Sequence, residues 1–152
     1  MDRNVHVLDW TCKAQRHVTR STFAAELFAA GDAVEQGMLV AQILHETEKG
    51  ELSAGDARQL REQGGFLPVA LYVDTILVFA ATTATFVRTP AEKSLLCHVQ
   101  FLRDLLDKRV LTSLIWIDTR DVISDGLTKG SINREDIRVT QMTLRTICQF
   151  RY

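Results

Sequence analysis

The sequence predicts an α/β fold, a sheet with helices on its faces. Three observations carry that prediction. Short apolar runs alternate with long amphipathic segments along the chain. One run, VALYVD, is apolar on both faces and ends in an acid. The composition, 46% hydrophobic and 24% charged, is that of an ordinary globular chain. At 152 residues the chain reads as one domain, long enough to bury about two thirds of its unfolded surface.

The elements follow in order. Asn4 to Trp10 (NVHVLDW) is rich in β-branched and aromatic residues and reads as a strand. The basic stretch KAQRHVTR, with Lys13, Arg16, His17 and Arg20, reads as a connection, either solvated or in contact with phosphate. Ser21 or Thr22 then caps a long helix reaching about Glu46, with Phe23, Leu27, Ala30, Val34, Met38 and Ala41 as its apolar stripe. Glu26 falls about 60° to the side of that stripe. There a carboxylate is partly desolvated and still reaches a cleft, although periodicity alone favours a plain flanking surface glutamate. Lys49 to Gly65 is polar and glycine-rich, an insertion loop with room for a short helix capped by Ser53.

VALYVD, after Pro68, suits a strand buried on both faces. Ligand sites in open α/β sheets lie beyond the carboxyl ends of strands, so Asp74 at the end of this run is a candidate. A cap for the following segment is the alternative. After Pro90 a second amphipathic helix presents Leu95, Val99, Leu102 and Leu106, with Arg103, Asp104, Asp107 and Lys108 outside the apolar face. LTSLIWIDT is a further strand, DVISDGLTKG a short helical segment, and Arg134 to Phe150 a final helix.

Several function classes recede on composition. Ile76 to Val87, the longest weakly polar stretch, is too short to span a bilayer, and no membrane segment or signal peptide is expected. Cys12, Cys97 and Cys148 are odd in number and far apart, which suggests a reducing, intracellular compartment (cytoplasm or nucleus) rather than a disulfide framework. They form no zinc spacing with His6, His17, His45 or His98. A net charge of −1 supplies no global attraction for nucleic acid, so a nucleic-acid partner would need a local basic stripe.

Three acids stand on separate elements: Glu26 on the long helix, Asp74 at a strand end and Asp125 after the last strand. Hard cations prefer oxygen ligands, and a pair of Mg²⁺ ions can stabilise both the attacking and the leaving oxygen of a phosphodiester. Spacing alone does not single these three out among 19 acidic residues.

A family resemblance does. WTCKAQRHVTRSTFAAEL is similar to a Trp, a Lys-rich turn and an Arg-Ser-Thr running into Ala-Glu. LYVDT is similar to a strand closing on an acid. The stretch AEKSLLCHVQFLRDLL…LTSLIWIDTRDVISDGLTKG ends in the most specific pattern, T-x-x-x-x-(A/S)-D-x-L-T-K. In this order they resemble the C-terminal part of the ribonuclease H domain of copia-type retrotransposon reverse transcriptase polyproteins, over about residues 4 to 131.

The resemblance implies a ribonuclease H-like mixed sheet flanked by helices over residues 1–131, followed by a helical tail over 132–152. It implies hydrolysis of RNA in RNA–DNA hybrids with two Mg²⁺ ions. Glu26 would match the metal-bridging glutamate, Asp74 the aspartate of the central parallel strand and Asp125 the late metal-binding aspartate. Thr128 and Lys129 match motif positions expected to serve helix capping and packing. Trp10 and Trp116 are expected to pack the core rather than stack on bases.

The family's first catalytic aspartate and its first two strands have no counterpart here. With a strand order of three-two-one-four-five, those strands form the middle of the sheet. The same chain therefore also reads as a catalytically inactive remnant, a structural or interaction module whose protein partner covers the incomplete sheet. Asp9 is the only acid that could stand in for the missing aspartate, and only with NVHVLDW shifted into the place of the first strand. Under the resemblance, the carboxyl groups of Glu26, Asp74 and Asp125 should converge within about 12 Å of one another, the span of two ions with their ligands; a structure of the whole domain with any pair further apart would refute the carry-over.

Overall fold

The computed structural model of the chain describes residues 8–9, 18–86, 90 and 92–118. In order these form α1 (Thr22–Lys49), α2 (Ala54–Glu62), β1 (Val69–Val73), α3 (Ile76–Thr83), α4 (Leu95–Asp107) and β2 (Leu111–Trp116). The architecture is α/β: two parallel strands with helices packed against them.

Ser21 starts α1 as expected, its Oγ accepting from the Ala24 N–H at 3.1 Å. The helix runs to Lys49, beyond the expected end near Glu46, because its last residues are exposed and carry no apolar period to mark them. Gly50 closes it at φ 94, its N–H bonding the Glu46 carbonyl at 2.9 Å. The buried surface is wider than the expected stripe. Phe23 and Met38 are only partly buried, while Ala29, Ala33 and Gly37 are buried beside Leu27, Ala30, Val34 and Ala41.

Ser53 caps α2, accepting from the Asp56 N–H at 3.2 Å. Leu52, Ala57 and Leu60 pack partly against the core. Arg61 reaches from α2 to the Gln42 side chain on α1, and its guanidinium lies 5.9 Å from the centre of the Phe66 ring. His45 meets the same ring edge-on at 5.7 Å. The polar stretch after α1 is thus a docked helix, which returns to the sheet through Gly64 and Gly65 at φ 112 and 76.

β1 and β2 pair in parallel, with Leu71 opposite Leu114 and Val73 opposite Trp116. Opposite the step from Val69 to Ala70 the register skips Thr112, and this extra residue lets Leu111 and Leu114, three apart on β2, both join the core with Val69 and Leu71. Parallel neighbours cannot be joined by a tight turn. The return from β1 to β2 therefore passes through α3 and α4, which contact each other and both strands' layer.

α4 buries Leu95, Val99 and Leu102 as its period predicts. Arg103 does not lie outside as expected: it is half-buried and donates to the Thr82 and Ala84 carbonyls at 2.9 and 2.6 Å. These carbonyls end α3, where no further turn donates to them. α3 itself was not expected, because Ile76–Thr83 is apolar on every side and shows no helical period. Val78 and Thr82, one turn apart, are its buried residues.

Leu8 and Asp9 belong to no strand. Asp9 instead accepts a 2.8 Å hydrogen bond from the Gln36 side chain of α1, which draws this part of the expected NVHVLDW strand onto the helix. The remainder of that segment, and the expected elements after Asp118, lie outside the described residues.

Leu27 is fully buried while Leu39, on the same helix, is 50% exposed. Leu27→Ala should therefore lower the unfolding free energy by about 2–5 kcal/mol, and Leu39→Ala by about 0.5 kcal/mol or less, in urea melts of the two variants. Equal losses would show that α1 does not use this face for the core.

Candidate functional site

Glu26 lies on the second turn of α1 and is half-buried. Glu26, Ala30, Ala33 and Gly37 follow one another at helical spacing, so they share a face. The last three are buried. The carboxylate therefore heads a strip of small buried residues, further into the packed surface than the flank that the larger apolar residues suggest. It stands on the helix that contacts β1, the strand leading to Asp74.

Asp74 is the first residue past β1 and is half-buried. The strand ladder continues one bond beyond the strand, with the Ile117 N–H on the Val73 carbonyl at 2.9 Å. At Asp74 the backbone bends, and its carbonyl accepts from the Trp116 indole N–H at 3.1 Å. The Thr75 hydroxyl stands 3.5 Å from Asp74 Oδ1, at the outer limit of a hydrogen bond. Thr75, not Asp74, is the N-cap residue of α3, so the capping role considered for Asp74 is not the one it has here. Asp74 thus lies at the carboxyl end of a parallel strand, between the strand and the start of a helix.

Trp116 was expected in the core. It is 45% exposed, at the last position of β2. Trp10, Thr128 and Lys129 lie outside the described residues, as does Asp125, the third acid of the expected set.

Sequence reasoning passed over Asp118. It is half-buried just beyond β2, at the same end of the sheet as Asp74. The signal was present in the repeated arrangement of an apolar run closing on an acid, VALYVD and LIWID. Among the described residues no three or more His, Cys, Asp or Glu side chains come together to hold a metal ion. Glu26 and Asp74 therefore do not make a cation site with other described residues, and a site for Mg²⁺ would need Asp125 or a further ligand.

Asp9 is held from α1 by the Gln36 side chain at 2.8 Å. Its partner Gln36 is ten residues beyond Glu26 on α1, about 15 Å along the helix axis.

Two further reactive groups among the described residues lie on α4. Cys97 is exposed on α4, and His98 packs edge-on against Phe28 with ring centres 4.6 Å apart. No helix among the described residues is long and apolar enough to cross a membrane. Comparisons with protein-family models, with characterised proteins and with solved structures return no match to this chain.

Proposed function

We propose that the chain is a ribonuclease H-like domain of retroelement origin, built to hydrolyse RNA in RNA–DNA hybrids inside the cell once the family's first two strands and first aspartate are supplied. The observation that carries this reading is the placement of two acids. Asp74 ends a strand with a parallel neighbour, and Glu26 is half-buried on the helix packed against that strand. The neighbouring parallel strands suit positions four and five of the family's sheet, and the motif around Asp125 supplies the remaining acid.

In this reading Glu26, Asp74 and Asp125 hold Mg²⁺ ions, which, when bound, stabilise the attacking and leaving oxygens of the phosphodiester. The chain's own part is to keep carboxylates fixed at the sheet's end. A helix supplies one and a strand end another, and both are rigid supports. Partial burial of Glu26 and Asp74 strengthens their attraction for a cation over that of fully solvated carboxylates.

A second reading, an interaction module without turnover, is favoured by the sheet itself. Among the described residues it has two strands, and β1 pairs on one side only, with β2. A strand edge of this kind takes up a further strand readily, from this protein or from a partner.

One experiment separates the two. The chain alone should show little or no Mg²⁺-dependent cleavage of an RNA–DNA hybrid, whereas a protein that also carries the two upstream strands with their aspartate should cleave it. Cleavage by the longer protein should require Mg²⁺, disappear in Glu26→Gln and Asp74→Asn, and survive Asp9→Asn. A longer protein that folds but does not cleave would leave the interaction module as the function, and one that cleaves equally well as Glu26→Gln would refute the assignment of Glu26 to the site.

A further inference from the structure

We infer that Trp116 is a positioning residue for Asp74: its indole N–H fixes the bend by which the chain leaves β1, and so the direction of the Asp74 carboxylate. The inference rests on the reading of Asp74 as a working carboxylate.

In a parallel ladder alternate residues turn their backbone groups toward a given neighbour. Val73 is turned toward β2, for its carbonyl takes the Ile117 N–H at 2.9 Å. Were β1 to continue straight, the Asp74 carbonyl would face the opposite edge. The bend at Asp74 brings it instead to the β2 side, where the Trp116 indole donates to it at 3.1 Å. A side chain thus provides the bond to a carbonyl that the ladder does not hold. The register places Trp116 opposite Val73, the residue before the bend, so the indole needs to reach only one residue further along the neighbouring strand.

The exposure of Trp116 supports the same role. At 45% exposed, it gives up much of the apolar burial for which a tryptophan is ordinarily placed at a strand position. Phenylalanine would supply the remaining packing, but only tryptophan among the large apolar side chains carries a ring N–H donor. The bend is also the point from which Thr75 and the first turn of α3 depart, so one hydrogen bond restrains both the carboxylate and the helix that follows it.

Trp116→Phe tests this. In the chain as it stands, amide hydrogen exchange at Thr75 and Ile76 should quicken roughly tenfold, the factor expected for one lost hydrogen bond, while Leu71 and Leu114 exchange as before. In the longer protein that cleaves hybrid, kcat should fall by a similar factor with KM within about twofold, since the substitution alters the aim of Asp74 and not substrate contact. Unchanged exchange at Thr75 and Ile76 would overturn the inference. Full kcat in Trp116→Phe, alongside loss of cleavage in Asp74→Asn, would overturn it while leaving the site intact. Cleavage that survives Asp74→Asn would remove the site's reading and this role with it.

Discussion

The parallel pairing of β1 with β2 is the constraint on which the rest of the structure depends. Parallel strands oblige the chain to return across the layer before it can pair again, and the return path here is α3 and α4. The same geometry puts the carboxyl ends of both strands at one edge of the fold. Asp74 and Asp118 therefore arrive together, and Trp116 arrives within reach of the Asp74 backbone. Antiparallel strands would have sent these residues to opposite ends. The helices then complete the core: Leu27 and Val34 from α1, Val78 from α3, and Leu95, Val99 and Leu102 from α4 close over Leu71, Leu111 and Leu114.

Much of this was legible in the amino-acid sequence, and the reasons are specific. The Ser21 and Ser53 caps mark helix starts because a hydroxyl there satisfies an otherwise unpaired N–H. β1 and β2 stand out as short apolar runs, and α4 by its period of Leu95, Val99 and Leu102. What escaped was information that lies between elements. α3 is invisible to periodicity because its apolar residues occupy all sides, which only the surrounding packing resolves into a buried pair, Val78 and Thr82. Arg103 looks like a surface charge until α3 exists to present its terminal carbonyls.

The candidate site was legible in a different way. Glu26 and Asp74 owe their selection to a resemblance in motif order, since each is an unremarkable acid by spacing. The fold adds what motif order cannot. Small side chains on α1 carry burial around to the Glu26 side, where a search for large apolar residues finds no stripe. The exit of β1 is bent rather than straight, so Asp74 is held by a neighbour's side chain as well as by its own strand. Asp118 was missed because it was read as part of a strand, whereas the ladder ends just before it.

Arg103 has a consequence for how the molecule comes apart. A helix of eight residues, Ile76–Thr83, is too short to persist in water by itself. Its last carbonyls are gripped by a guanidinium rooted in the middle of α4, and its Thr82 side chain is sealed in the interior. Fraying at that end must break charge-assisted bonds and open the interior, so the short helix cannot loosen while the longer one stays in place. The two halves of the crossover then form one cooperative unit in local unfolding. Fraying that begins at Ala84 is stopped before it travels through α3 to the opposite end, where the backbone turns at Asp74.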